Sequence, residues 1–257
     1  MELIDSHAHY NDEKFDVDRD NIIKEAYSSR ITTIINAGYS LESSKKAIEI
    51  ANQYEFMYAT VGISPNDIEN LKGSYIKDIE ELAKNHKVVA IGEIGLDYYW
   101  NKDNKEKQKK VFMEQIQLAN KLNLPIVIHT REAVMDTIDI LKNKVECIKK
   151  GVFHCCPLNL ELVKEALKLG FYISFAGPVT FKNSKNATEI VNLVPIERIL
   201  IETDSPYLSP EPVRGTRNDS RNVKYIAEKI ADIKGLTVEE IAKQTYKNAQ
   251  KIFERKI

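Results

Sequence analysis

The sequence predicts an α/β fold, a single (β/α)₈ TIM-type barrel whose functional residues lie at the C-terminal ends of the strands. The chain has 257 residues, which is close to the length of such a barrel. Eight short apolar runs alternate with longer amphipathic stretches, and no repeat, low-complexity tract or Pro/Gly/Ser-rich linker divides them. We therefore expect residues 1–257 to form one domain.

The eight candidate strands share a high content of Val and Ile. They cover residues 2–5, 31–36, 57–61, 88–92, 125–129, 151–154, 171–175 and 198–202. Most show little polar alternation, which is typical of parallel strands that are buried on both faces. A β–α alternation repeated eight times predicts a parallel sheet, and closure into a barrel is the simplest arrangement of it.

The segments between the strands have the pattern of amphipathic helices. In residues 104–122 the apolar positions recur near the 3.6-residue period while lysines occupy the other face. Near the end of the chain, Thr237 and Glu240 have the spacing of a capping box ahead of Ile241, which predicts a helix starting there.

Composition limits the classes of protein that fit. With 37 basic and 38 acidic residues the formal net charge is −1, so any nucleic-acid contact must come from a local basic patch. The three cysteines, Cys147, Cys155 and Cys156, are an odd number with two adjacent, so we expect no disulfide. We expect no signal peptide, no membrane-spanning run and no obligate protein partner, which favours a cytoplasmic protein.

Four of the five histidines and two carboxylates follow or end the apolar runs. These six residues are His7, His9, Glu93, His129, His154 and Asp204. Each alone has a plain explanation, as a hydrogen-bonded core histidine or a carboxylate in an ion pair. Together they predict a metal site, because side chains at the C-terminal ends of parallel strands meet at one end of a barrel.

Six such groups are enough ligands for two divalent cations. We expect His7, His9, Glu93 and Asp204 to hold one cation, and Glu93 to share the second with two later histidines, His129 and His154. Nitrogen and oxygen donors without thiolate suit Mg²⁺, Mn²⁺ or Zn²⁺ equally. Glu93 and Asp204 are the predicted catalytic residues, since Asp204 could also accept a proton from the attacking water.

Six separated segments carry a family resemblance. They are IDSHAHY (4–10), EIGLDYY (93–99), LPIVIHTREA (124–133), FHC (153–155), ETDSPYL with PVRGTRN (202–218), and T-x-x-N-A-x-x-x-F (245–253). In this order they resemble the TatD family of metal-dependent deoxyribonucleases. The resemblance implies a TIM-type barrel, two divalent metals on the same six positions, and hydrolysis of DNA phosphodiesters that trims the 3′ ends of single strands.

Other functions remain open at this point. Relatives in the family are also described as D-aminoacyl-tRNA deacylases, so ester hydrolysis on tRNA is the alternative, and RNA is a further possible substrate. Many amidohydrolase-like barrels use a carboxylated lysine where this chain has Glu93, which argues against a lactonase or phosphotriesterase. A barrel that only binds a partner is least favoured, because all six ligand positions are intact.

The chain departs from the family pattern at two places. Many members read G-V-H-P-H where this chain has Gly62-Ile63-Ser64-Pro65-Asn66, and Ser64 is then expected to contact substrate phosphate as a weaker donor. After FHC the usual F-S-G is replaced by Cys156-Pro157-Leu158.

Several other residues are candidates for holding a substrate. Arg131, two residues after His129, and Arg214 and Arg217, which follow the eighth strand, could each clamp a phosphate or form an ordinary ion pair. The aromatic run at residues 98–100 could stack on bases, although such runs more often belong to a core or a lid.

Overall fold

A computed structural model of the chain describes residues 1–254, and its eight strands form one parallel sheet in the order of the sequence. The strands are β1 (Leu3–Ala8), β2 (Ile31–Ala37), β3 (Met57–Val61), β4 (Val88–Asp97), β5 (Ile126–Arg131), β6 (Val152–Phe153), β7 (Tyr172–Phe175) and β8 (Ile199–Ile201). The predicted (β/α)₈ barrel is confirmed. That the chain is one domain stays a prediction, and its last three residues, 255–257, lie outside the described part.

The sheet is nearly closed because the first and last strands meet. The backbone N–H of Asp204 donates to the carbonyl of His7 at 2.9 Å, and the N–H of His9 donates to the carbonyl of Ser205 at 2.7 Å. The Ser6 hydroxyl, on β1, also donates to the carbonyl of Ile201 in β8 at 3.0 Å. These bonds place the start of the chain beside the segment that follows β8.

Helices connect the strands around the outside of the barrel. They are α1 (Arg19–Ser28), α2 (Leu41–Ala51), α3 (Tyr75–Leu82), α4 (Lys105–Leu122), α5 (Val134–Asp139), α6 (Leu160–Lys168), α7 (Ala187–Leu193), α8 (Val223–Lys234) and α9 (Val238–Phe253). The predicted helix at 104–122 is confirmed as α4, with Asn104 as its N-cap. The predicted capping box of Thr237 and Glu240 is also confirmed, at the start of α9.

Two apolar clusters fill the molecule. The larger packs the outer faces of the strands against the helices. The smaller joins Ile4 in β1, Val89 in β4 and Val152 in β6, strands that are not neighbours in the sheet, so these side chains lie inside the barrel. Ile252 and Phe253 of α9 belong to the same cluster and cover one end of the interior.

Three strands that carry candidate ligands run further than the sequence predicted, and this changes where the site residues lie. One of them is β5, which was predicted to end at His129 and continues to Arg131. The prediction that His7 and Glu93 follow their strands is wrong, because β1 continues to Ala8 and β4 continues to Asp97. Both strands shift register along their length, β1 against β2 between Asp5 and Ala8, and β4 against β5 between Ile91 and Ile94. Such irregularities re-aim side chains while the strand pairing continues.

Gly95 allows β4 and β5 to approach closely beside the site. Its φ is +144°, and a Cβ atom there would lie 1.9 Å from the carbonyl oxygen of His129. Any other residue at this position would push β5 away from β4.

Within residues 1–254, none of the helices combines the length and the apolar character that crossing a membrane requires.

Candidate active site

The structure brings the six predicted ligands together at the C-terminal end of the barrel, in two adjacent clusters. We name His7, His9 and Asp204 the first cluster, and Glu93, His129 and His154 the second cluster. Within each cluster one ligand atom from each residue lies within 4.8 Å of the others.

The first cluster lies where β1 meets the segment after β8. The Nε2 atoms of His7 and His9 are 3.1 Å apart. Oδ1 of Asp204 lies 3.3 Å from Nε2 of His9 and 3.7 Å from Nε2 of His7. Asp204 adopts a left-handed backbone conformation with φ of 57°, which turns its side chain into the site at three residues beyond β8.

The second cluster comes from β4, β5 and the residue after β6. Nδ1 of His129 lies 3.2 Å from Nε2 of His154. Oε1 of Glu93 lies 2.9 Å from the same His129 atom and 3.4 Å from Nε2 of His154.

Glu93 connects the two clusters, because its second oxygen faces the first one. Oε2 lies 3.4 Å from Nε2 of His7 and 3.6 Å from Nε2 of His9. One carboxylate therefore presents one oxygen to each cluster, the arrangement by which a carboxylate bridges two cations.

The hydrogen bond on the far side of the His9 ring fits a cation centre. Nδ1 of His9 lies 3.0 Å from the carbonyl oxygen of Ala37, which only accepts, so this nitrogen carries the proton. When the ring is neutral, Nε2 of His9 then presents a lone pair 3.1 Å from Nε2 of His7. Facing nitrogens at this distance need a proton or a metal ion between them, and metal-binding histidines usually donate their other N–H in this way.

Charges within the site set the protonation of the metal-free protein. Burial alone lowers the pKa of His154, but the charges of Glu93 and Glu202 outweigh it and hold that pKa well above the ordinary value. Burial likewise raises the pKa of Glu93, but the surrounding histidines hold it well below its usual range. For His7, burial and the neighbouring His154 lower the pKa.

The sequence reasoning missed two buried carboxylates that contact candidate ligand histidines. Oδ2 of Asp97 lies 2.9 Å from Nε2 of His129. Oε1 of Glu202 lies 3.4 Å from Nδ1 of His154, and donor atoms of Glu202, His154 and His7 all lie within 4.8 Å of one another. The only signal in the sequence was their position in the segments EIGLDYY and ETDSPYL.

All members of the two clusters except His7 line an open cavity of about 870 Å³. One part of its wall is apolar and consists of Cys156, Pro157, Leu158, Pro178 and Leu208. Three aromatic residues, Tyr39, Trp100 and Tyr207, also line it. The cavity therefore combines a polar floor of histidines and carboxylates with apolar surfaces above it.

Comparison with known proteins identifies the family. The sequence model of the family described as TatD related DNase matches residues 4–254. The chain belongs to this family. The predicted TatD membership and the predicted class, a metal-dependent hydrolase, are thereby confirmed.

Individual relatives cover almost the whole TatD-family chain. The uncharacterized metal-dependent hydrolase YabD of Bacillus subtilis (strain 168) is 44% identical over 251 residues, 98% of each protein. The 3′-5′ ssDNA/RNA exonuclease TatD of Escherichia fergusonii is 30% identical over 256 residues, again 98% of each. The crystal structure of YJJV, a TatD homologue from Escherichia coli K12, superposes with a TM-score of 0.92 at 24% identity and 98% coverage of both chains.

The predicted substrate residues of this TatD-family chain fall in different places. Ser64 lines the cavity, but its hydroxyl donates to Oδ2 of Asp67 at 2.7 Å. Arg131 also lines the cavity, and its guanidinium lies 3.7 Å from the centre of the Tyr99 ring. Arg214 is exposed with its guanidinium 3.9 Å from the centre of the Phe181 ring, and it is not part of the lining.

Two further candidates have structural partners. Arg217 forms two hydrogen bonds with the carboxylate of Asp18, at 2.9 and 2.6 Å, so the ion-pair alternative describes it. Tyr98 is buried and donates its hydroxyl to Asp136 at 2.6 Å, which leaves no ring face for a base. Lys185, a residue that sequence reasoning missed, is exposed and lines the cavity.

Proposed function

We propose that this TatD-family hydrolase is a two-metal nuclease that trims the 3′ ends of single-stranded DNA, with RNA as a further substrate. The observation that carries the proposal is Glu93, which has one oxygen within 3.6 Å of the histidine nitrogens of each cluster. The first cluster and Glu93 would hold one cation, and the second cluster would hold the other. The mixture of imidazole and carboxylate ligands is compatible with Mg²⁺, Mn²⁺ and Zn²⁺.

The bound cations, Asp204 and the metal-binding side chains would have separate roles in the reaction. Bound divalent cations would lower the pKa of a water molecule and neutralise negative charge on the attacked phosphate. Asp204, whose side chain is 14% exposed at the cavity, can accept the proton that the attacking water loses. Glu93 and the histidines would hold the two cations at fixed positions relative to each other.

The cavity has features that suit a single-stranded nucleic acid. Arg131, which lies over the Tyr99 ring, and the exposed Lys185 both line it and offer positive charge to phosphates. Trp100, 68% exposed at the cavity, offers a ring on which a base can stack. The activity in the name of the Escherichia fergusonii relative, 3′-5′ ssDNA/RNA exonuclease, supports this assignment.

The test is release of nucleotides from single-stranded DNA oligomers labelled at the 3′ end or at the 5′ end. Metal-stripped protein should release nothing, and addition of Mg²⁺ or Mn²⁺ should release labelled mononucleotides from the 3′ end first. A Glu93→Gln variant is the matched control, because it keeps the side-chain volume and removes the bridging charge.

Absence of release by protein that demonstrably binds the metal would overturn the nuclease proposal. Hydrolysis of D-aminoacyl-tRNA by the same preparation would then assign the centre to ester cleavage, since the two reactions need the same activated water.

A further inference from the structure

Asp97 is a buried carboxylate at the end of β4 whose backbone is clamped by a neighbouring helix. Its side chain is 1% exposed. The backbone N–H of Asp97 donates to Oε1 of Gln108 in α4 at 2.8 Å, and Nε2 of Gln108 donates back to the Asp97 carbonyl at 2.9 Å. Both backbone groups are thus satisfied by one side chain, which fixes where the carboxylate points.

The two oxygens of Asp97 accept from two different parts of the site. Oδ2 faces Nε2 of His129 at 2.9 Å and also accepts from the side-chain amide of Asn66 at 3.4 Å. Oδ1 accepts the backbone N–H groups of Tyr99 and Trp100 at 2.9 and 3.2 Å. One buried side chain therefore contacts both a residue of the second cluster and the turn that carries the exposed aromatic rings.

The contact with His129 fixes its tautomer. An ionised carboxylate can only accept, so Nε2 of His129 must carry the proton. In a neutral ring this leaves a lone pair on Nδ1, the atom 2.9 Å from Oε1 of Glu93. His129 thus faces the centre through Nδ1, whereas His154 faces it through Nε2.

We propose that Asp97 is a positioning residue that selects Nδ1 of His129 as a metal-binding atom and couples it to the aromatic turn at residues 99–100. It does not contact substrate or the reacting atoms. Its role in metal binding rests on the proposed function, but its role in fixing the tautomer does not. A carboxylate that accepts the second N–H of a metal-binding histidine typically raises metal affinity 10- to 100-fold.

Asp97→Asn is the informative substitution because it preserves shape. Since Asp97 accepts hydrogen bonds on both oxygens, an amide must direct its NH₂ group either toward His129 and Asn66 or toward the backbone N–H groups of residues 99 and 100. Against His129, the NH₂ would favour the other tautomer and place a proton on Nδ1. Against the backbone, it would release the turn at Tyr99 and Trp100. The matched control is Asp136→Asn, which removes a carboxylate that accepts from Tyr98 and contacts none of the ligand histidines.

Two measurements compare Asp97→Asn with the wild type and with the control variant. Titration of metal-stripped protein with Mn²⁺ should show a 10- to 100-fold loss of affinity for one of two cations in Asp97→Asn and wild-type affinity in Asp136→Asn. Trp100 is the one tryptophan of the chain, so its fluorescence reports on the turn, and its emission should change in Asp97→Asn only. Wild-type affinity together with unchanged emission in Asp97→Asn would overturn the proposal.

The tautomer can also be measured in the unmodified protein. Nitrogen-15 NMR of histidine-labelled, metal-free protein, at a pH where the rings are neutral, distinguishes a proton on Nε2 from one on Nδ1. We expect the His129 proton on Nε2, and a proton on Nδ1 would overturn the proposal even if Asp97→Asn fails to fold. Because this experiment uses no metal and no substrate, its outcome is independent of whether the protein proves to be a nuclease.

Discussion

Binding of divalent cations to the metal-stripped protein should weaken steeply as the pH falls through the pKa values of the site histidines, which lie above the ordinary value of about 6.5 for three of them. A histidine binds a cation through a neutral ring, so a proton on the binding nitrogen must leave first. Burial lowers the pKa of His9, His129 and His154, but neighbouring carboxylates outweigh burial and hold all three above the ordinary value. Cation binding therefore displaces protons from these rings.

The size of the effect follows from the number of rings. Each displaced proton changes the apparent affinity about tenfold per pH unit, or about 1.4 kcal/mol, at pH values below the pKa of the ring. Where all three rings are protonated, they together change the combined affinity for both cations by at most about 1000-fold per unit. His7 adds little, because burial and the nearby His154 hold its pKa below the ordinary value and its ring is already neutral.

Calorimetric titration with Mn²⁺ at several pH values, in two buffers of different ionisation enthalpy, measures both the affinity and the protons released. We expect net release of protons on cation binding at pH values below the pKa of these rings. His86→Gln serves as the control, because His86 is exposed and lies outside both clusters, so the variant should match the wild type. Affinity that is constant over the pH range, with no proton release, would refute the reasoning.

Three further predictions concern single substitutions at the cavity. Glu93→Gln should lower nuclease activity by more than about 100-fold and reduce binding of both cations, while an unchanged circular dichroism spectrum shows that the barrel is folded. Near-normal turnover in the folded variant would exclude the bridging role. Ser64→His should raise activity, because the adjacent Asp67 carboxylate would favour a protonated ring that attracts phosphate; a loss or no change would show that Ser64 is not a phosphate contact. Arg131→Met should raise the KM for DNA oligomers about 10- to 100-fold without altering cation affinity, and an unchanged KM would mean that the guanidinium only packs on Tyr99.

The six candidate ligands could be located from sequence because parallel strands in a barrel bring residues that are distant in the sequence to the same end of the fold. Parallel strands that are buried on both faces are recognisable as apolar runs, and their C-terminal ends necessarily meet. His154 shows this directly, since it follows β6, and the structure places it 3.2 Å from His129 of β5. Knowledge of the packing between the strands was not needed to predict that meeting.

The outer contacts of the site could not be predicted, because they depend on partners distant in sequence. Arg131 and Arg217 both follow or end strands, yet Arg217 pairs with Asp18 near the start of the chain, whereas Arg131 lies over Tyr99. Asp97 has the sequence signature of an ordinary turn residue, and its contact with His129 arises only from the pairing of β4 with β5. The register shift between Ile91 and Ile94, which surrounds Glu93, likewise depends on the pairing of β4 with β5.

The two clusters differ in whether they need the contact between the first and last strands, which we call the seam. The second cluster comes from β4, β5 and the residue after β6, so a chain emerging from the ribosome can complete it before the barrel closes. The first cluster has two histidines from the start of the chain and an aspartate beyond β8, so it exists only after closure. A cation bound there would clamp the seam, adding about 2.7 kcal/mol against its opening at a concentration 100-fold above the dissociation constant. Loading of the first cluster would then be the last step of maturation, and its loss on chelation would loosen the barrel at the seam first.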